Sequence, residues 1–150
     1  MLDALDIKIL EILQQNGRAK RNFIAEQIGL SVPSLSERMK KLESAGIIQG
    51  YFAKVSKKAF GYDIMAFITV VMDSSKHYQK LYENVEKTDE ILECHAILGE
   101  GSHVLKAIVK NTDDLEKLLS KIQSWPGVIR TLTSFVLSTI KDTKKIKIKE

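Results

Sequence analysis

The stretch Leu30–Tyr51, LSVPSLSERMKKLESAGIIQGY, decides the fold of this chain. Ser31 is a good N-cap, because its hydroxyl accepts from the free backbone N–H groups of a first helical turn. Pro33 falls inside that turn, where a missing N–H costs little. Leu35, Met39 and Leu42 follow at i, i+4 and i+7, so they share one face and belong to a core. The opposite face carries Pro33, Ser34, Glu37, Lys40 and Lys41, with Ser36 and Arg38 on its flanks. Gly46 supplies a left-handed stop, and Ile47 opens an extended segment that runs to Val55. A cap, a basic amphipathic helix, a glycine stop and a strand are the parts with which a small domain offers a helix to the DNA major groove. On its own such a helix is equally an ordinary surface helix with solvated charges. The residues upstream carry the distinction.

There, Leu5, Ile9, Ile12 and Leu13 form a helical stripe after Asp3, a plausible N-cap, and Asn16–Gly17 close that helix. A second short helix starts near Lys20, with Ile24, Ala25 and Ile28 inward and Gly29 at its end. Only Gly29 and Leu30 separate it from the cap Ser31. Two short helices with so tight a junction make a helix-turn-helix, braced by the first helix and followed by a wing-like strand over Ile47–Val55.

The second half alternates strands and helices. Asp63–Asp73 is a strand with apolar residues on both faces: Met65, Phe67 and Val71 on one, Ala66, Ile68, Val70 and Met72 on the other. His77–Thr88 reads as a helix, Ile91–Leu98 as a strand, Gly99–Ser102 as a hairpin turn and His103–Lys110 as a third strand. Asp113–Ser124 is a helix with Leu115, Leu118, Leu119 and Ile122 inward. Trp125-Pro126-Gly127 breaks it, and Val128–Ile140 is a long last strand. The order is βαββαβ, the ferredoxin-like arrangement, so the fold class is α+β. A first strand apolar on both faces needs cover that two helices on one side cannot give. In a soluble chain a second copy is the simplest cover, so a homodimer through this sheet is expected.

These elements divide the chain into a helix-turn-helix domain over 1–46, a wing strand and linker over 47–60, the βαββαβ domain over 61–140 and a basic tail over 141–150. Net charge is +4, unevenly spread. The balance is +4 over residues 1–60, −3 over 61–140 and +3 over the last ten. A polyanion is drawn to the first half and repelled by the second. Hydrophobic residues make up 44%, enough for a proper core. No stretch approaches ~18 uninterrupted apolar residues, so no membrane span is expected, and the acidic N-terminal start does not resemble a signal peptide. A single cysteine, Cys94, suits a reducing compartment, and a cytoplasmic, nucleoid-associated location is expected.

The segments LDALDIKILEILQQNGR, IAEQIGLS, LSERMKKLESAGIIQGY and KAFGYD resemble the Lrp/AsnC family, the leucine-responsive and asparagine-operon regulators. Weaker similarity continues through EILECHAILGEG, LKAIVKN, WPGV and TSFVLSTIK, nearly the whole chain in order. The resemblance implies a winged helix-turn-helix followed by a RAM-type ligand-binding domain, dimers that assemble further into rings or discs, and control by a small effector, commonly an amino acid. It places the effector near the turn after the second RAM strand, where the family's usual pattern is Gly, a variable residue, an aromatic and Asp. Here that run is Gly99-Glu100-Gly101-Ser102. Gly99 is kept, but a serine hydroxyl brings no charge to meet an ammonium group. Glu100 substitutes from another angle, or the effector differs, or there is none. Thr131, Thr133 and Ser134 on the last strand are further polar candidates.

For DNA, Ser31 and Ser34 at the helix start and Lys20 and Arg21 at the start of the second helix are placed to hold phosphates, contacts that position without reading sequence. Ser36, Glu37, Arg38, Lys40 and Lys41, on or beside the face that includes Pro33, are the candidates for base edges, with Arg38 the obvious donor to guanine. The expected partners are double-stranded DNA, further copies of the chain and a small effector. His77, His95 and His103 lack metal-ligand spacing, and no metal or cofactor is expected. Cys94 and His95 are adjacent on a strand and point to opposite faces, which argues against a nucleophile pair. The ending KKIKIKE alternates Lys and Ile, a pattern that suits an edge strand or a segment lying along DNA, but a frayed, solvated tail is the expected reading. Two rivals stand beside a sequence-specific regulator. One is an architectural protein that compacts DNA with little sequence preference. The other is an enzyme similar to the tetrapyrrole decarboxylases related to this family, using His95 and His103. An enzyme leaves the basic helix without a role, so none is expected.

Overall fold

The computed structural model describes residues 2–148. Met1, and Lys149 and Glu150 at the end of the basic tail, lie outside the described residues. The chain forms two compact units, one from residues up to Lys54 together with those from Lys141 onward, the other Val55–Ile140.

The first unit holds three helices, α1 (Ala4–Gln15), α2 (Arg21–Ile28) and α3 (Val32–Ser44). Asp3 caps α1 through the Asp6 N–H at 2.9 Å, and the Asp6 carboxylate returns a 3.2 Å bond to the Asp3 N–H. This reciprocal pair satisfies two donors that a helix start leaves open. Gly29 ends α2 in the left-handed region at φ 70°, and the Leu30 N–H returns to the Ala25 carbonyl. Ser31 caps α3 by accepting from the Ser34 N–H, with Pro33 in the first turn, and Gly46 (φ 69°) follows its end. Ile9, Ile24 and Leu35 are wholly buried at the centre, among Leu10, Ala25, Ile28, Met39 and Leu42. The helical spacing of the sequence thus selects the observed core.

Two features of this unit differ from expectation. Residues 47–55 form no hydrogen-bonded strand. Among the described residues no strand pairs with this segment, and Phe52 lies 90% exposed. The tail is also not simply solvated. The Gln14 side chain accepts from the Ile146 N–H at 2.7 Å and donates to its carbonyl at 3.1 Å, as a neighbouring strand would. Ile148 packs against the three-helix core.

The second unit is a four-stranded antiparallel sheet with two helices. Its elements are β1 (Ile64–Met72), α4 (Tyr78–Glu86), β2 (Ile91–Ala96), β3 (His103–Val109), α5 (Thr112–Gln123) and β4 (Val128–Phe135). Strand order is β2-β3-β1-β4, as a βαββαβ chain requires. Ala66, Ile68 and Val70 of β1 meet Leu81 of α4, Leu118 and Ile122 of α5, Leu105 and Ala107 of β3, and Trp125 in one core. β4 stops five residues earlier than its sequence suggests. The Val136 N–H still reaches the Met65 carbonyl, but the regular ladder ends where Phe135 lies opposite Ala66. The other sheet face is open. Phe67 and Leu132 are 42% and 37% exposed there, beside Lys106, which is paired with Glu93 at 2.9 Å. No described helix is long and apolar enough to cross a membrane.

Leu35→Ala should lower the unfolding free energy of the three-helix unit by about 2–5 kcal/mol, because the cavity sits where nothing can collapse into it. Urea unfolding followed by circular dichroism checks the change.

Candidate nucleic-acid interface and effector region

The exposed face of α3 carries Pro33, Ser34, Glu37, Lys40 and Lys41. Lys41 and Glu37 form an i,i+4 ion pair at 2.9 Å, which holds the Glu37 carboxyl below its usual range. Both partners are largely exposed, so the pair is cheap to break and both remain available to base edges. Ser31 and Ser34 share a 2.9 Å hydroxyl bond at the start of the helix. Arg21 donates to the Ser36 hydroxyl at 3.0 Å, bringing the start of α2 against α3, with Lys20 exposed beside it. The sequence-predicted phosphate and base candidates therefore converge on α3 and the α2 start.

Arg38 is turned elsewhere. Its Nη1 donates to Asp3 at 2.7 Å and to Asp6 at 2.8 Å, the two carboxylates that cap α1, and its side chain is 30% exposed. The capping bond from the Asp6 N–H, reinforced by Arg38, holds the Asp3 carboxyl below the usual carboxylate range, and the two carboxylates push the guanidinium pKa up. One cation thus ties the middle of α3 to the start of α1.

Tyr51 fastens the other end. Its hydroxyl donates to Glu43 at 2.9 Å, and burial, then the Glu43 bond, pushes its pKa up to about 12, so it stays a donor at neutral pH. A Cβ at Gly17 would sit 3.9 Å from the Tyr51 ring. The extended segment after α3 is thereby held against the α1–α2 turn.

In the second unit the hairpin residues come together and the β4 residues do not all join them. Gly99 and Gly101 have φ of 131° and 85°. A Cβ on Gly101 would lie 2.5 Å from Thr69 Cγ2 and 2.9 Å from the Val70 carbonyl, so the hairpin leaves no room for an aromatic there. The Ser102 N–H donates to the Val70 carbonyl at 2.9 Å, and its hydroxyl lies 2.7 Å from His103 Nδ1. Glu100 meets Arg130 of β4 at 3.0 Å. Thr131 lies opposite Val70 and accepts from Gln123, and Thr133 lies opposite Ile68, both on the helix-covered side. Ser134 lies opposite Phe67 on the open side. A cleft of about 390 Å³ lined by Tyr62, Glu90, Lys110 and Lys117, among others, includes none of these residues.

Sequence reasoning missed Arg130, and it weighed His103 only as a metal or enzyme candidate. His103 is wholly buried, with Tyr82 Oη 3.0 Å from its Nε2 and the Tyr78 ring edge-on at 4.7 Å, and desolvation lowers its pKa. Cys94 faces Leu105 and His95 faces Val104, so they point to opposite faces. Among the described residues no cluster of three metal-ligating side chains occurs.

The fold and surfaces define a class: a helix-turn-helix unit that presents a basic recognition helix, joined to an α+β unit of ligand-binding type. Residues 2–49 match the winged helix-turn-helix DNA-binding model, and residues 65–146 match the Lrp/AsnC ligand binding domain. The chain belongs to the Lrp/AsnC family and is a transcriptional regulator. It is 37% identical over 148 residues to the HTH-type transcriptional regulator FL11 of Pyrococcus abyssi, covering 99% of this chain and 97% of that one. The leucine-responsive regulatory protein of Haemophilus influenzae is 32% identical over 151 residues, at 99% and 91% coverage. A Neisseria meningitidis transcriptional regulator solved with L-methionine superposes at a TM-score of 0.92, with 34% identity and coverage of 98% and 97%.

Replacing Arg38 by Met should raise the Asp3 pKa toward the ordinary value of about 3.9. Because the native value is depressed, the carboxylate's support for α1 is complete above that ordinary value and is lost as pH falls through the native one. Carboxyl NMR titration of wild type and Arg38→Met checks both points.

Proposed function

We propose that this regulator reads operator DNA through Ser34, Glu37, Lys40 and Lys41 on α3, with Ser36 at the edge of that face. Lys20, Arg21 and Ser31 take the phosphates, and Arg38 acts by orienting the helix. The observation that carries this reading is the single exposed polar face of a helix whose other side is wholly committed to the core. Glu37 can accept from a cytosine amino group, while Lys40 and Lys41 donate to guanine. The apolar open face around Phe67 and Leu132 supports a homodimer formed sheet to sheet, and the two copies of α3 then meet half-sites about one helical turn (~34 Å) apart. The protein works in the cytoplasm, where DNA and reduced thiols coexist.

Effector control rests on Glu100 and Arg130. An exposed carboxylate 3.0 Å from an exposed guanidinium offers partners for both ends of an α-amino acid, the ammonium to Glu100 and the carboxylate to Arg130. The methionine bound to the Neisseria meningitidis relative favours this ligand class. An effector that prefers one arrangement of the oligomer shifts the population toward it, and with it the set of half-sites engaged together.

Selection from random double-stranded DNA should return a pseudo-palindrome, bound at least about 10³-fold tighter than unrelated sequence at the same salt. Removing one base-reading amine, in Lys40→Ala or Lys41→Ala, should cost about 1–3 kcal/mol and relax preference at one position. Recovery of no consensus, with equal affinity for all sequences, would favour the architectural role. Light scattering should give at least twice the mass of one chain, falling to one chain in Phe67→Asp. Where an amino acid shifts the wild-type mass, Glu100→Gln should abolish that shift.

A further inference from the structure

The recognition unit is poorly charged for a protein that binds a polyanion. Residues 1–54 carry eight Lys and Arg against six Asp and Glu, a balance of +2. Part of that charge is already engaged, since Arg38 is held by Asp3 and Asp6 and Lys41 by Glu37. The tail changes the balance. Residues 141–148 add four lysines and one aspartate, which brings the folded unit to +5.

The tail is also held in place on this unit. Gln14, on the last turn of α1, binds both backbone groups of Ile146. Ile148 packs against the three-helix core, and Lys54 meets Asp142 at 3.2 Å. Lys144, Lys145 and Lys147 are exposed, and among the described residues none of the three forms an ion pair. The anchor residue Gln14 lies on the last turn of α1 and precedes Arg18 by four residues and Lys20 by six in the sequence. A docked segment bearing three exposed lysines, on a recognition unit short of positive charge, fits the phosphate backbone of DNA.

We propose that the C-terminal tail is a DNA-binding arm, in which Lys144, Lys145 and Lys147 neutralise backbone phosphates of the same duplex that α3 reads. The arm adds affinity without adding sequence preference, because phosphate contacts are blind to the bases. The inference rests on the DNA-reading function proposed above.

The test is a salt titration of the full-length protein on its selected site and on unrelated duplex, comparing wild type with Lys144→Gln/Lys145→Gln/Lys147→Gln. These exposed substitutions leave the fold intact, which thermal unfolding verifies. The slope of log Kobs against log salt should become shallower by about 0.9 for each phosphate that is no longer neutralised, roughly 2–3 per arm. Affinity for both duplexes should fall by the same factor, leaving their ratio unchanged. Gln14→Ala combined with Ile148→Ser, which frees the tail but keeps its charge, should weaken binding less than the triple variant. If wild type binds its selected site and the triple variant keeps the same slope and affinity, the arm is overturned while the DNA-reading function stands. If wild type binds no duplex at any salt, both fall.

Discussion

The recognition surface depends on the pairing of one guanidinium with two carboxylates. Asp3 and Asp6 already complete the start of α1 by accepting from each other's backbone N–H groups. Arg38 then bridges both carboxylates and fixes the middle of α3 to the first turn of α1. The exposed face of α3 gets its direction from this clamp, from the Leu35–Met39–Leu42 stripe beneath it and from the Tyr51–Glu43 bond at its far end. A helix fixed at its middle and its end has little freedom to roll. Reading base edges requires that, since bidentate hydrogen bonds tolerate only small misplacement.

The two units divide the chemistry by charge as well as by fold. The tail-bearing unit is the basic one, and residues 55–140 carry ten Lys and Arg against eleven Asp and Glu. The sheet unit has instead an apolar open face and a hairpin drawn tightly onto β1. Gly101 lies so close to Thr69 and Val70 that only a residue without a side chain fits, and Ser102 and His103 are bonded to one another. The hairpin therefore has no room for a side chain at position 101. The charged pair beside the hairpin, Glu100 and Arg130, comes from a turn and a strand thirty residues apart.

Most of the fold was legible because it is written locally. Asp3, Ser31, Gly29 and Gly46 mark helix ends through bonds within a few residues, and the inward positions of α1, α2 and α3 follow from a 3.6-residue period. The four strands of the sheet and their βαββαβ succession were legible from apolar runs and the two intervening helices, whereas the strand expected over 47–55 does not form. Long-range pairings were hidden. Arg38 reads locally as the flank of an exposed face, and the acids that capture it lie 32 and 35 residues upstream. The docked tail depends on Gln14 at a separation of 132 residues, which no periodicity reveals. Strand β4 ends at Phe135, opposite Ala66, although the strand suggested by its sequence continues to Ile140.

Methylation interference on the selected operator tests the central claim, that α3 reads DNA from the major groove of a two-fold site. Guanine N7 lies in the major groove and adenine N3 in the minor. Methylation at N7 should block binding at two clusters about one helical turn apart, while adenine N3 methylation inside those clusters should have little effect. Interference confined to the minor groove, or spread evenly along the duplex, would contradict the claim.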